Sequence, residues 1–178
     1  MFCLKIVKME LDMALGRYKQ KRRFTETPEP AGQIKTKGSS RFVVHKHQAS
    51  HLHYDFRLEL PAYAPWTSAG KPKKIGKGKI VLKSWAVPKG VPEKPSIKHL
   101  AVAVEDHPVD YLNFEGIIPE GNYGAGRVEI WDKGKFKLIE YTQKFLEFEL
   151  EGKRLRGKYV LAQFTDQKKN WLIFKMKS

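Results

Sequence analysis

The stretch "VVHKHQASHLHYDFRLEL" (residues 43–60) holds four of the six histidines of the chain, and an aspartate and an arginine follow them at once. From residue 52 onward apolar and polar residues alternate, which is typical of a β-strand whose two faces meet different surroundings. We expect one face to join the core and the other to line solvent or a cavity. The core face would carry Leu52, Tyr54, Phe56 and Leu58, and the polar face His53, Asp55, Arg57 and Glu59.

Short strand-like runs with turn residues between them fill the rest of the chain after residue 80. One pair, "GRVEIW" and "KFKLIEY", is separated by Asp132-Lys133-Gly134, which predicts a hairpin turn. Many short strands and little helix favour a mainly β fold, as a single antiparallel barrel or sandwich. We see neither an internal repeat nor a boundary between two globular domains.

The first 40 residues have a different character. Residues 9–23 are expected to form a short amphipathic helix, with Leu11, Leu15 and Tyr18 at helical spacing. Residues 25–40 are rich in Pro, Gly and Ser and predict an extended arm. We therefore divide the chain into an N-terminal helix and arm (1–40) and a barrel domain (41–178), the latter interrupted by a Lys/Gly/Pro loop at about 61–80.

The formal net charge is +15, and it is unevenly distributed. Five of the seven residues 17–23 are basic, and no acid occurs between Glu59 and Glu93. Clustered positive charge suits a polyanion such as nucleic acid, although a solvated basic surface would look the same. Trp66, within the basic loop, is the aromatic side chain that could stack on a base.

Cysteine and hydropathy bound the setting of the protein. Cys3 is the only cysteine, so neither a disulfide framework nor a cysteine-rich zinc site is expected. The N-terminal residues are too short and too charged for a membrane span, and no other segment is long and apolar enough. These features favour a cytoplasmic protein that does not bind membranes.

The histidine strand suggests a metal site. His53 and Asp55, two residues apart on one strand, can ligate one ion, and His47 can add a third ligand from across the "QAS" bend. Two imidazoles and one carboxylate suit Mn²⁺, Fe²⁺ or Zn²⁺, and Arg57 on the same face could hold two phosphate oxygens. The alternative is an exposed cross-strand charge pair among surface histidines. We interpret His51 as a surface residue.

A second group of candidates lies in "VEDHPVDYLNFEG" (residues 104–116). His107, at the end of an apolar strand, could be a metal ligand, a phosphate donor or a general acid. Tyr111 could donate a hydrogen bond to the same oxyanion. Each could equally be structural, as a turn residue and as half-buried packing. The glycines of "PEGNYGAG" (residues 119–126) predict a tight loop and not a nucleotide cradle.

Four segments together carry a family resemblance. "KHQASHLHYDFRLEL", "LKSWAVPKG", "LAVAVEDHPVDYLNFEGIIPEGNYGAG" and the closing "GKRLRGKYVLAQF…NWLIFK" resemble the 3′-phosphoesterase module of the bacterial DNA ligases of nonhomologous end joining, the ligase D family, and its free-standing archaeal and bacterial relatives. The resemblance runs from about Tyr18 to the C-terminus. It implies a small β-barrel with one or two short flanking helices and a Mn²⁺-dependent site, although Co²⁺ or Zn²⁺ could serve.

The resemblance also implies an activity. Enzymes of this family remove a 3′-terminal ribonucleoside and then the remaining 3′-phosphate, leaving a 3′-OH for a ligase. The expected substrate is a primer-template DNA with a 3′-ribonucleotide or 3′-phosphate end, the expected partner a DNA ligase acting downstream, and the expected state a monomer. The implied metal ligands are His47, His53 and Asp55, the implied phosphate-binding and supporting residues are Arg57, His107 and Tyr111, and further matching positions are Arg22, Glu29, Lys89 and Glu105.

Three departures from the family pattern stand out. His45 occupies a position where the family usually has glutamine, so it could donate a hydrogen bond or perturb the metal. Arg23 replaces the aspartate that normally precedes the phenylalanine of the arm. The basic loop at about 61–80 replaces a short turn.

Two other functions fit parts of the pattern. His53, Asp55 and a distant His107 also spell the two-histidine, one-carboxylate iron site of oxygenases, although Arg57 and the basic charge suit phosphate better. A non-catalytic nucleic-acid-binding barrel would explain the charge but not the clustered ligands.

Overall fold

A computed structural model describes residues 14–33, 35–62, 79–164 and 166–177. Residues 14–20 are helical, and a 3₁₀ helix spans Val109–Asn113. Nine strands account for most of the remainder: β1 Arg41–Gln48, β2 Leu52–Pro61, β3 Ile80–Val87, β4 Lys98–Ala103, β5 Gly116–Ile118, β6 Gly126–Tyr141, β7 Phe145–Gly152, β8 Arg156–Gln163 and β9 Asn170–Lys175. Among these residues no helix is long and apolar enough to cross a membrane.

The strands form a closed antiparallel barrel, as predicted. Eight of them pair in the order β1-β2-β3-β4-β9-β8-β7-β6, and β6 returns to pair with β1, so that this ring has no free edge. The short strand β5 pairs with the first residues of β6 outside the ring. The described residues add one helix and one 3₁₀ turn beside the barrel, and the predicted fold class is confirmed.

The hairpin predicted at Asp132-Lys133-Gly134 is wrong, because β6 runs through these residues as one 16-residue strand. The carboxylate of Asp132 is buried and accepts hydrogen bonds from the backbone N–H groups of Lys133, Lys153, Arg154 and Leu155. Gly134 lies where a Cβ would collide with the carbonyl oxygen of Glu151. Asp132 and Gly134 are therefore required for the close approach of neighbouring backbone segments and do not form a turn.

The alternation along β2 separates two packed faces, as the sequence indicates. Phe56, Leu58 and Leu60 join the barrel interior, and Tyr54 packs against it. The polar face is buried as well, with Asp55, Arg57 and Glu59 all shielded from solvent. The expectation that Leu52 lies in the core is wrong, because the strand begins at this residue and its side chain is 49% exposed.

A second layer covers the outer face of β1, β2 and β3. Tyr18 from the helix at 14–20, together with Tyr111 and Leu112 from the 3₁₀ helix, packs on Val43 and Leu82. Of the predicted helix at 9–23, residues 14–20 are helical and residues 9–13 lie outside the described range. The polar face of β2 is therefore enclosed between the barrel and this layer.

The predicted basic loop falls largely outside the described residues. Pro61 ends β2 and Ile80 begins β3, and the two residues are paired in the sheet. The expectations for residues 63–78, including the stacking of Trp66, lie outside the described residues.

Candidate active site

His47, His53 and Asp55 come together on neighbouring strands. Antiparallel pairing of β1 with β2 sets His47 opposite His53 and His45 opposite Asp55. One ligand atom from each of His47, His53 and Asp55 lies within 4.8 Å of the others. The shorter contacts are His47 Nδ1 to Asp55 Oδ2 at 3.4 Å and His53 Nε2 to Asp55 Oδ1 at 3.6 Å. This is a donor set that fits a divalent transition-metal ion.

Hydrogen bonds to backbone carbonyl groups hold the imidazole rings of His47 and His53 in the orientation that ligation of an ion requires. Nε2 of His47 lies 2.8 Å from the carbonyl oxygen of Gly124, and Nδ1 of His53 lies 3.0 Å from that of His51. Because a carbonyl oxygen only accepts, each of these ring nitrogens carries the proton. The opposite nitrogen of each ring faces Asp55 and is the atom that could ligate an ion, an arrangement that is usual for metal-binding histidines.

Arg57 is fixed beside the metal-binding cluster. Its Nη2 donates to Asp55 Oδ2 at 3.0 Å, its Nη1 to Ser84 Oγ at 2.8 Å, and its Nε to His45 Nδ1 at 3.4 Å. The Tyr111 ring packs under the guanidinium, 4.8 Å from its carbon. Described residues engage three of the five N–H groups, so two are left for an oxyanion.

The charge state of this cluster follows from burial and from Arg57. Burial alone would raise the pKa of the Asp55 carboxyl group, but Arg57 and the two imidazoles hold it below its usual range. Burial, followed by the charge of Arg57, lowers the pKa of His45 to about 3. Asp55 is therefore an anion and His45 a neutral acceptor at physiological pH.

His107 is buried between β3 and the N-terminal segment. Its Nδ1 lies 2.9 Å from the backbone oxygen of Glu105, and its Nε2 lies 3.1 Å from Nη2 of Arg22. Arginine only donates, so Nε2 is the acceptor and Nδ1 carries the proton. Burial, then the charges of Arg57 and Arg22, lower the pKa of His107 well below its usual value. These surroundings favour a neutral imidazole and disfavour the protonated acid considered from the sequence.

Arg22 ties the N-terminal segment to this site. Its guanidinium donates to Glu29 Oε1 at 2.8 Å and to Glu105 Oε1 at 3.0 Å. Glu29 also accepts from the hydroxyl group of Tyr111 at 2.8 Å. The Tyr111 hydroxyl group is thus directed at Glu29, and it is the ring of Tyr111 that contacts the site.

Most of the candidates named from the sequence line one cavity of about 280 Å³. The exceptions are informative. Lys89 is exposed in the turn after β3 and does not line this cavity, and Arg23 is exposed and pairs with Glu26 at 3.6 Å. His51 is exposed, as expected. His45 is buried under Tyr111 and reaches the site through Arg57. The cavity is lined by Arg22, Glu29, His47, His53, Asp55, Arg57, Glu105, His107 and Tyr111 among others.

Four residues of the site were not named from the sequence. Ser84 holds Arg57, Gly124 holds His47, Tyr123 lines the cavity, and Lys21 contacts the lining residues Tyr123 and Glu105. Ser84 carries a weak signal, because it is a small polar residue in a strand that is apolar except for Lys83. Gly124 and Tyr123 belong to the loop at 119–126, which was interpreted only as a turn. Nothing in the sequence distinguishes Lys21 from its basic neighbours.

Comparison with known proteins places the chain in one family. Residues 77–163 match the family model described as "DNA Ligase D 3'-phosphoesterase domain". The chain is 42% identical over 173 residues to the multifunctional non-homologous end joining protein LigD of Pseudomonas aeruginosa, and 38% identical over 174 residues to the multifunctional non-homologous end joining DNA repair protein LigD of Mycobacterium tuberculosis.

These alignments cover 92% of this chain, and 18% and 20% of the two relatives. A further relative, LigD of Mycolicibacterium smegmatis, is 37% identical over 180 residues. The chain thus spans about a fifth of the length of the curated relatives it matches. The expected family resemblance is confirmed.

Proposed function

Because this chain belongs to the family of the DNA ligase D 3′-phosphoesterase domain, we propose that it is a metal-dependent hydrolase of DNA 3′ ends. It would remove 3′-terminal ribonucleosides and 3′-phosphates and leave a 3′-OH. The observation that carries the proposal is the combination of a two-histidine, one-aspartate cluster with Arg57 in one cavity. The cluster suits a divalent ion, and the guanidinium suits phosphate oxygens.

We propose Mn²⁺ as the ion, with Co²⁺ or Zn²⁺ as substitutes. The residues fit it, because His47, His53 and Asp55 each offer one ligand atom within 4.8 Å of the others, and both rings are held by backbone carbonyl groups. An ion bound there supplies positive charge that polarises a phosphate oxygen and lowers the pKa of water.

Arg57 would bind the scissile phosphate. The two N–H groups that no described residue engages can each donate to a non-bridging oxygen, and the bonds to Asp55 and Ser84 keep the guanidinium from turning away. In release of a 3′-phosphate, a water oxygen bonds to phosphorus, the P–O3′ bond breaks, and the departing O3′ takes up a proton. In removal of a terminal ribonucleoside, the bond from phosphorus to the O5′ of that ribonucleoside breaks instead, and O5′ takes up the proton. The charge that builds on the phosphate oxygens is then balanced by a cation already in position.

His107 and Arg22 would form the second wall of the phosphate site. Arg22 is held between Glu29 and Glu105 and donates to Nε2 of His107. This arrangement supports Arg22, Glu29 and Glu105 as residues that position His107, with Tyr111 packed against the imidazole at 4.9 Å. Lys89 is exposed and lies outside the cavity, and we propose that it acts as a surface cation for the DNA backbone.

The names of the relatives suggest a cellular setting. They are described as non-homologous end joining proteins, and we propose that this chain prepares 3′ ends for a ligase in the same kind of repair. The net charge of +15 supports DNA as the substrate.

The iron-oxygenase alternative receives less support. Its third ligand was to be His107, but both ring nitrogens of His107 are occupied by Arg22 and the Glu105 backbone. A non-catalytic DNA-binding barrel would have no use for a buried cluster of ligand atoms beside an arginine.

The test is end analysis of a labelled primer-template that terminates in one ribonucleotide or in a 3′-phosphate. With Mn²⁺ we expect loss of the ribonucleoside and conversion of the phosphate end to a 3′-OH, and with a chelator neither reaction. Processing that is unaffected by chelator would overturn the metal dependence. Intact primer ends together with oxygen consumption would favour the oxygenase.

A matched pair of histidine variants makes this test specific. His53→Ala removes a proposed ligand, whereas His51→Ala removes an exposed imidazole two residues away. We expect His53→Ala to reduce turnover by at least about 100-fold, which is typical of lost charge stabilisation at a transition state, and His51→Ala to retain the wild-type rate. Equal losses in both variants would contradict the assignment.

A further inference from the structure

We propose that Tyr123 and Lys21 form a nucleobase-binding subsite at the rim of the cavity. It would receive the base of the nucleotide whose 3′ oxygen carries the scissile phosphate. This inference rests on the proposed function. The residues assigned above would contact only the metal ion and the phosphate, whereas this subsite would contact the base.

Exposure distinguishes Tyr123 from the other tyrosine that lines the cavity. Tyr111 is buried beneath Arg57 and His107 and cannot be reached from solvent. Tyr123 also lines the cavity, yet 48% of its side chain is exposed. A large aromatic surface that is open to solvent at the mouth of a cavity lined by Arg22 and Arg57 suits a flat, partly apolar ligand.

The ring of Tyr123 is held in place before any ligand arrives. The amino group of Lys21 lies 3.1 Å from the Tyr123 hydroxyl oxygen and 4.4 Å from the ring centroid. Lys21 is itself anchored, because its amino group also donates to Glu105 Oε2 at 2.9 Å. A ring that is already oriented loses less conformational entropy when it binds a base.

The loop that carries Tyr123 is also linked to the metal cluster. The next residue, Gly124, has a φ of +76° and accepts a hydrogen bond from Nε2 of His47 at 2.8 Å. Because Tyr123 directly precedes Gly124, the hydrogen bond between Gly124 and His47 holds the Tyr123 ring close to the proposed metal ligands. The base that it binds must therefore be close in the chain to the phosphate at the metal.

The neighbouring charges identify the ligand class. Lys21 and Arg22 both lie close to the Tyr123 ring, with the Arg22 guanidinium carbon 5.6 Å from its centroid. An aromatic surface flanked by cations matches a nucleotide, which joins a π face to a phosphate, and stacking of this kind tolerates any base. We therefore expect little preference among the four bases.

The test compares Tyr123→Ala with wild-type protein on two 3′-phosphorylated primers. One primer carries a normal terminal base, and the other carries a tetrahydrofuran abasic residue at that position. On the first primer we expect Tyr123→Ala to raise KM by about 5- to 100-fold, the range given by loss of one base–aromatic stack, with kcat changed less than about threefold. On the abasic primer wild-type protein should already show the raised KM, and Tyr123→Ala should add nothing.

Two controls separate stacking from loop damage. Tyr123→Phe keeps the ring and should restore the wild-type KM. Phe164→Ala removes a similarly exposed aromatic residue that does not line the cavity, and should leave both substrates unaffected. An equal rise in KM on both primers, or failure of phenylalanine to restore binding, would overturn the subsite.

The same primers also separate this proposal from the proposed function. If wild-type protein binds them but releases no phosphate with Mn²⁺, the hydrolase proposal fails, while fluorescence anisotropy still measures whether affinity depends on the terminal base through Tyr123. If phosphate is released but affinity is independent of that base, the hydrolase proposal stands and the subsite fails.

Discussion

His45 lies behind Arg57, at a position where the family resemblance leads us to expect glutamine. The imidazole is fully buried, accepts a hydrogen bond from Nε of Arg57, and packs edge-on against Tyr111 with ring centroids 5.6 Å apart. Because burial and Arg57 keep it neutral, it offers the same kind of acceptor as a glutamine amide oxygen. His45 can therefore orient Arg57 in the way that we expect of a glutamine.

Two substitutions at this position test that interpretation. His45→Gln keeps an acceptor for Arg57 and should retain 3′-phosphate release within about threefold. His45→Leu leaves the buried Nε–H of Arg57 unpaired, which should lower the free energy of unfolding by about 1–3 kcal/mol and reduce turnover. Phosphate release and thermal unfolding measure the two effects, and equal behaviour of the two variants would show that the acceptor is unimportant.

Among the elements, β6 shows how one long strand closes the barrel. Its residues pair with β1 over 127–135 on one edge and with β7 from residue 134 onward on the other, so both neighbours meet β6 at Gly134 and Lys135. Asp132 binds the turn between β7 and β8 from the same region. The element joins two halves of the barrel without a turn.

Gly134→Ala is predicted to damage this junction. The added methyl group would meet the Glu151 backbone, and overpacking of this kind costs about 1–3 kcal/mol of stability. Gly16→Ala is the matched control, since a Cβ there meets nothing within 4 Å and the residue is helical. Chemical denaturation should show loss of stability for Gly134→Ala and an unchanged or slightly raised stability for Gly16→Ala. A neutral Gly134→Ala would contradict the account of β6.

The start of β1 is fixed to β2 by a buried carboxylate. Glu59 accepts from the backbone N–H groups of Ser39 and Arg41 and from the Arg41 guanidinium at 2.8 and 2.9 Å. Burial alone would raise the pKa of Glu59, but the Arg41 side chain and the Ser39 N–H lower it below the ordinary value of 4.5. Its stabilising contribution is therefore fully present above pH 4.5 and disappears as the pH falls through the lowered pKa.

Glu59→Gln should accordingly lose stability near neutral pH and not in acid. Since Arg41 is partly exposed, we expect a deficit of only about 1–2 kcal/mol at pH 7, shrinking as the pH falls below 4.5. Thermal melts between pH 7 and pH 3 measure this. Glu129→Gln, which breaks an exposed pair with Arg127, should melt like wild type at every pH, and a constant deficit for Glu59→Gln would refute the linkage.

At the scale of the whole molecule, strand parity explains what the sequence could predict. Alternation along residues 52–60 and the short bend before them were sufficient to bring His47, His53, Asp55 and Arg57 onto one face. The partners of these residues could not be found in the same way. Ser84 reaches Arg57 by pairing of β2 with β3, and Gly124 reaches His47 from the loop that precedes β6. Both contacts depend on tertiary structure that local pattern does not encode.

The long strand β6 failed prediction for the same reason. Asp-Lys-Gly is a good hairpin sequence locally, but here Asp132 and Gly134 make contacts with residues that are distant in the sequence. Asp132 accepts hydrogen bonds from the backbone of residues 153–155, and Gly134 lies against the backbone of Glu151. The burial predicted for Leu52 also failed for a non-local reason. Alternation shows which face of the strand a residue occupies, but it does not show where the strand leaves the core. The burial of His107, which lowers its pKa, depends on the second layer that packs over the barrel. It could therefore not be predicted from the sequence.

The central claim is that one ion bound by His47, His53 and Asp55 is required for hydrolysis of a DNA 3′-phosphate. The direct measurement is a Mn²⁺ titration in which bound metal is counted by electron paramagnetic resonance while phosphate release is followed in the same samples. We predict one ion per chain, half-maximal release at half-saturation of that site, and loss of both in Asp55→Asn. Phosphate release that continues without bound Mn²⁺, or full metal binding by Asp55→Asn, would contradict the account.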